Sequence, residues 1–396
     1  MMTADLASKI PSAMLQQIWQ NVQKQVGAYQ KVTGARTEAS EKGDSVYLTL
    51  SFEKLTLDAK LPVDLAGKIA GFTMSQHVDY SPPDYVKTAS FHEQDVMVGS
   101  GEWALHGTLT IPNGTIPNGD RPFPAVAMVA GSGPADRDST LGPNKPFRDL
   151  AWGIASRGVV VLRYNKRPNE HGVEFSKLAN MTVKEEEIDD ALLAAALLRK
   201  TPGVDPKRVF VLGHSLGATL APRIGKADPD IAGLIILGGI ARPMVDDIVR
   251  QVRYNFELHG PLTTQQQKIV DTLAKQVARA NDPNLSADTP KEELPMNTPA
   301  SYWLDLRGYH PEQVARSLPQ PLLVLQAERD YQVTMDDFAA WKKGLAGKTN
   351  VEFHSYPKLN HLFMEGEGPS SDEEYTKPGH VSGAVVEDIA AWIKRQ

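Results

Sequence analysis

Five segments of the chain are apolar at nearly every position: residues 125–131 (AVAMVAG), 159–164 (VVVLRY), 208–214 (RVFVLGH), 234–239 (LIILGG) and 321–328 (PLLVLQAE). A strand that is apolar on both faces belongs inside a parallel sheet covered by helices on each side. Helical stretches such as 147–157 and 183–200 lie between most of them, and this alternation predicts an α/β fold. Ahead of the first run, residues 92–98 and 103–111 predict two antiparallel strands. After the last, 351–357 (VEFHSYP) predicts a further strand and 382–394 a closing helix.

Residues 241–318 break the alternation. This interval is helical and polar, is interrupted by Pro261, Pro283, Pro290 and Pro295, and is too long for a simple crossover. It predicts a helical cap inserted into a catalytic domain made of residues 86–240 and 319–396. Inserted caps commonly lie over a ligand site.

The N-terminal region has a different pattern. Leu15, Ile18, Trp19, Val22 and Val26 fall at helical spacing, whereas residues 45–52 (SVYLTLSF) alternate as a half-buried strand does. Residues 68–77 are the expected partner strand. A small α+β domain over residues 1–85 is therefore expected, ending at the break Ser81-Pro82-Pro83-Asp84.

Composition narrows the function. With 396 residues the chain has room for two or three domains, and 41% hydrophobic with 23% charged residues is soluble globular usage. A net charge of -6 provides no basic field, so no nucleic-acid partner is expected. The absence of cysteine excludes disulfides, thiolate metal sites and cysteine nucleophiles. No stretch approaches the roughly 20 apolar residues of a membrane helix. The first residues lack the basic start and apolar core of a signal peptide, which favours the cytoplasm; a secreted or periplasmic location fits a chain that has lost its leader. Asn113-Gly114-Thr115 and Asn180-Met181-Thr182 match a glycosylation sequon and are read as chance.

The candidate chemistry centres on Gly213-His214-Ser215-Leu216-Gly217. A serine hydroxyl is a weak nucleophile unless a tight turn presents it beside a base, and this motif follows a buried strand and leads into a short helical segment, 216–226. In such a fold the triad runs serine, acid, histidine along the chain. Asp330 stands in the loop after the strand 321–328, with Glu328 as the fallback acid. Of the histidines beyond it, His354 lies within a strand and His380 reads as a cap or surface residue. His361 lies in a loop and is the expected base. The amide of Leu216 is the expected first oxyanion donor, and an amide of Gly131-Ser132-Gly133-Pro134, Ser132 before Gly133, the second. Asp136, Arg137 and Asp138 are read as loop-fixing ion pairs, and Arg163 as a loop anchor. His214, Tyr302 and Trp303 are candidate substrate-pocket residues, with core packing equally suited to Tyr302 and Trp303.

Four segments carry a resemblance: Gly131-Ser132-Gly133-Pro134-Ala135-Asp136-Arg137-Asp138, Arg163-Tyr164-Asn165-Lys166-Arg167, the Gly213 to Gly217 motif, and Tyr302-Trp303-Leu304-Asp305-Leu306. In these the chain resembles a bacterial family of two-domain α/β-hydrolase serine esterases over nearly its whole length. The resemblance implies carboxylesterase activity on short-acyl or methyl esters, a triad of Ser215, Asp330 and His361, a small-molecule ester as the partner, and no cofactor; with no H-E-x-x-H pair, P-loop or dinucleotide fingerprint in the sequence, no metal or nucleotide is expected either. Many relatives in the wider superfamily carry His-Gly before the oxyanion loop, where this chain has Ala130-Gly131. A serine peptidase or amidase on the same scaffold, and a non-catalytic binding protein, are the rival readings. A homodimer is left open.

Overall fold

The computed structural model describes residues 1–40, 43–77, 79–114 and 122–396, so Thr115 of the first sequon lies outside the described residues. The chain divides into two compact units, Met1–Ser81 and Pro82–Gln396. The division falls before Pro82, and residues 82–85 belong with the second unit, where the Tyr85 hydroxyl donates to the Val381 carbonyl at 2.7 Å.

In the first unit the helix Ser12–Val26 accompanies four antiparallel strands in sequence order: β1 (Tyr29–Ser40), β2 (Gly43–Phe52), β3 (Thr56–Asp64) and β4 (Thr73–Gln76). Strand β2 pairs with β1 and β3, not with residues 68–77 as expected; of these only Thr73–Gln76 form a strand, and it lies against β3. The reason is physical. Strand β1 (YQKVTGARTEAS) is an edge strand, exposed at most positions, so no apolar alternation marks it. The core of this unit is small, built on Val26, Leu50, Phe52, Leu57 and Ala59.

The second unit is an eight-stranded sheet made of β5 (Phe91–Val98), β6 (Leu105–Pro112), β7 (Phe123–Val129), β8 (Val160–Tyr164), β9 (Val204–His214), β10 (Leu234–Leu237), β11 (Leu322–Ala327) and β12 (Val351–Tyr356). Their order is β12-β11-β10-β9-β7-β8-β6-β5, parallel from β12 to β8, with β6 and β5 antiparallel at the end. Alternate residues explain the unbroken apolar runs. Ala127, Val211, Ile236 and Val324 point into one core, while Met128, Phe210, Leu237 and Leu325 point into another. The second core is closed by the helices Pro146–Ala155 and Gly383–Arg395.

Between β10 and β11 the chain forms the helices Met244–Glu257, Thr264–Asn281, Ala300–Leu306 and Pro311–Ser317, with two short 3-10 turns. The first of these is tied to the loop after β11: the Arg250 guanidinium donates to the carbonyls of Tyr331 and Gln332, each at 2.7 Å. Because the chain leaves β7 for β8 on one side and reaches β9 on the other, the sheet has a topological switch at β7/β9. Ligands of such sheets bind outside the carboxyl ends of the strands at that switch.

Trp392 tests the second core. It is buried, packs edge-on against Phe210 with ring centroids 5.7 Å apart, and sits where a methyl group on Gly233 would approach to 2.7 Å. Trp392→Ala should destabilise this unit by about 3–5 kcal/mol. The expected outcome in urea unfolding is a lower midpoint with an unchanged slope.

Candidate active site

Ser215 is the single residue between β9 and the helix Leu216–Ala227. Its backbone is forced to φ 54 and ψ -115, a region that costs a non-glycine residue about 1–3 kcal/mol. Strand and helix meet so closely that a Cβ at position 213 would lie 2.2 Å from the Gly217 carbonyl oxygen, and one at 217 would lie 2.4 Å from that of Val129. Both positions are glycine for this reason. The turn is held by the Ser215 amide donating to Leu237 at 3.0 Å and the Gly217 amide donating to Ala130 at 3.1 Å. Pro222 lies inside the helix without ending it.

Asp330 follows β11 and its side chain is sealed from solvent. Its Oδ1 accepts from the amides of Gln332 (2.8 Å) and Val333 (2.9 Å), and its Oδ2 lies 2.6 Å from His361 Nδ1. An ionised carboxylate only accepts, so Nδ1 carries the proton and Nε2 is left as the basic nitrogen. Helix capping nearby falls to Thr334, in a capping box with Asp337. Glu328 is occupied elsewhere, accepting from the Ser355 hydroxyl at 2.8 Å. His354 lies near Glu352 and Asp388, and His380 pairs with Asp149. Of the three candidate histidines, His361 is the one that meets Asp330.

The loop around His361 is fixed by Asn360, whose side-chain oxygen accepts from the amides of Leu362 (3.1 Å) and Met364 (3.2 Å). The buried Leu362 and Phe363 shield it from water. Among the described residues the hydrogen bond of the His361 ring is the one to Asp330, and none joins it to the Ser215 hydroxyl. Such contacts are commonly loose without substrate and tighten in the Michaelis complex.

Gly131 lies alongside Ser215: a Cβ there would be 3.1 Å from Ser215 Cβ and 3.6 Å from Oγ. The loop bearing Ser132 and Gly133 leaves the end of β7 at this point, with Gly133 at φ 90. The Leu216 amide opens the helix after Ser215 and, like any first-turn N–H, has no partner within the helix. The flanking charges fix the loop. Asp138 is buried among Arg163, Arg148 and Lys145, and Arg163 also reaches Glu93.

The three candidate pocket residues have these surroundings. His214 packs behind His361, ring centroids 4.7 Å apart, and its Nε2–H donates to the His361 carbonyl at 2.9 Å. Tyr302 is buried, and burial followed by the Glu186 carboxylate beside it pushes its phenol far above the ordinary range. Trp303 is buried too and lines a cavity of about 310 Å³ with Met244, Val245, Asp246 and Leu306. Neither Ser215 nor His361 lines that cavity. Pattern alone could not separate a pocket wall from a core aromatic at these positions. Sequence reasoning also missed Asn360 and Lys166; the signal for the latter was a lysine in a polar run directly after a buried strand. Among the described residues no group of three metal-ligating side chains is gathered, and no helix is long and apolar enough to cross a membrane.

A strained serine between a parallel strand and a helix, and a buried Asp–His pair whose histidine packs on the residue before it, are the arrangement of an α/β hydrolase. Residues 167–375 match the model described as "Alpha/beta hydrolase family", and the chain belongs to that family. Residues 1–72 match a second model, "Protein of unknown function (DUF3887)". Over 384 residues, 96% of this chain and 86% of the relative, it is 37% identical to Esterase EstD of Thermotoga maritima. Among solved structures it is similar to a puromycin hydrolase (14% identity, TM-score 0.50), covering 93% of this chain and about half, 48%, of that one. An esterase of Pyrococcus furiosus aligns at 15% identity and TM-score 0.47, over 81% of this chain and 96% of the other. Likeness at such identities concerns the fold.

His214 carries a pH prediction. Burial, then the positive charge that His361 can carry, push its pKa down to about 3, so it stays neutral where an unfolded histidine takes a proton. Between about pH 6.5 and 3 the unfolded state binds one proton more than the native state at this residue. Stability therefore falls with falling pH, by up to about 1.4 kcal/mol per unit from this group. The His214 ring resonances should stay unshifted from pH 8 to 5, and His214→Gln should weaken the acid-side loss of stability.

Proposed function

We propose that this protein is a serine carboxylesterase that hydrolyses short-acyl or methyl esters through an acyl-enzyme. The observation that carries the reading is the buried Asp330–His361 pair, 2.6 Å apart, with the His361 ring against His214, the residue that precedes a serine held on a strained turn. Membership of the alpha/beta hydrolase family and a full-length relation to an esterase support ester hydrolysis as the activity.

The steps follow from the atoms present. Ser215 Oγ attacks the ester carbonyl while His361 Nε2 takes its proton. The imidazolium so formed keeps its Nδ1–H on Asp330, which two backbone amides hold in place. Negative charge on the former carbonyl oxygen is met by the amides of Leu216 and Ser132. His361 then returns the proton to the departing alcohol, leaving an ester on Ser215. A water molecule repeats the sequence and releases the acid. The chain's own groups complete this cycle without a cofactor.

Turnover of matched p-nitrophenyl acetate and anilide substrates tests the proposal. The ester should be cleaved much faster than the anilide. Ser215→Ala should lower ester turnover by about four orders of magnitude or more, and Asp330→Asn by about 10⁴-fold, because asparagine favours the wrong histidine tautomer. Retention of Ser215→Ala turnover within about tenfold of the parent would remove the serine from the mechanism. Faster anilide cleavage would favour an amidase.

A further inference from the structure

Lys166 is fully buried in a region where a lone ammonium would be very costly. Its Nζ donates to the Gly131 carbonyl at 2.8 Å and to Glu186 at 2.8 Å, and it also contacts Glu187. Burial alone would lower the pKa of this group, but Glu187 and Glu186 outweigh it and keep the ammonium charged; burial in turn pushes the Glu187 carboxyl up to about 8 against the pull of Lys166, so Glu186 is the partner that is ionised throughout the neutral range. The neighbouring residues grip the same loop. The Asn165 side-chain oxygen accepts from the Arg137 amide at 2.9 Å, the Lys166 amide donates to Ala135 at 3.1 Å, and Asn169 Nδ2 donates to Pro134 at 3.0 Å. Four points of the Gly131–Arg137 loop are thus held from one short segment. The Lys166 contact is the one on the peptide next to Ser215.

In a trans peptide the carbonyl and the following N–H lie in one rigid plane and point in opposite directions. Fixing the Gly131 oxygen therefore fixes the direction of the Ser132 N–H. We propose that Lys166 is a positioning residue for the oxyanion hole: its ammonium holds the Gly131 carbonyl so that the Ser132 amide, on the other side of that peptide, faces the reacting carbonyl at Ser215. Glu186 and Glu187, from the π-helical turn Lys184–Ile188, hold the ammonium in turn. Tyr302 closes the cluster against Glu186, so a residue expected to wall a pocket serves the oxyanion loop. The inference rests on Ser215 as nucleophile and on Ser132 as an oxyanion donor.

The test removes the three buried groups together, since taking away Lys166 alone would leave Glu186 and Glu187 buried without their partner and endanger folding. The variant is Lys166→Met with Glu186→Gln and Glu187→Gln. Turnover is measured per serine titrated by a fluorophosphonate, alongside KM and inhibition by a trifluoromethyl ketone, whose adduct carries the same oxyanion. A misaimed donor should lower kcat about 100- to 1,000-fold and leave KM within about threefold, because the interaction exists only in the transition state. Inhibition by the ketone should weaken in proportion to kcat/KM. A kcat per titrated serine within about threefold of the parent overturns the proposal. If the serine assignment itself were wrong, the unaltered protein would not be labelled, or labelling would survive Ser215→Ala, which separates the two failures. If the variant does not fold, a crystal structure of the phosphonylated parent decides. A phosphoryl oxygen bonded by the Ser132 and Leu216 amides, with Gly131 still on Lys166, supports the assignment. An oxygen bonded by Gly133 instead, or a Gly131 carbonyl turned away from Lys166, overturns it.

Discussion

Ser215 holds a left-handed backbone that its side chain disfavours, and the surrounding sheet is what keeps it there. Its amide is tied to β10 through Leu237, and the next turn of helix is tied to the end of β7 through Ala130. Those bonds require β7, β9 and β10 to run parallel in adjacent register, as they do. The approach leaves no space for a Cβ at positions 213 and 217. One strained residue thereby fixes the direction of the helix and the free amide at Leu216. It also fixes how near the Gly131 loop must lie.

A second constraint is electrostatic. Buried ionisable side chains around this site meet partners: Lys166 meets Glu186 and Glu187, Arg167 meets Asp190, Arg163 meets Glu93 and Asp138, and Asp330 meets His361. Buried pairs of this kind contribute little net stability, so their value lies in geometry. They hold loops whose backbone has no sheet or helix to bond with. The Asp330 loop is held from both sides, by its own carboxylate within and by Arg250 from outside.

The parallel strands were legible because both faces of each are covered, which leaves almost no polar position in RVFVLGH or AVAMVAG. Candidate residues Ser215, Asp330 and His361 were legible because chain order and loop position restrict the choice. Strand β1 was not, since an exposed edge strand has no apolar face to read. Lys166 escaped for a related reason: a charged residue after a strand ordinarily reads as a solvated loop, and its burial depends on glutamates some 20 residues away. Tyr302 and Trp303 read equally well as pocket wall or core packing, because nothing local indicates whether an aromatic faces a cavity or a buried carboxylate.

In the proposed mechanism Ser215 carries the acyl group between the two halves of the reaction. This is tested most directly by mass spectrometry of protein quenched during turnover of a p-nitrophenyl ester whose bulky acyl group is released slowly. The expected result is a burst of about one nitrophenol per protein and the acyl mass on the tryptic peptide from Val209 to Arg223, at Ser215. Steady turnover with no burst and no acylated peptide, or an acyl mass on another residue, would contradict it.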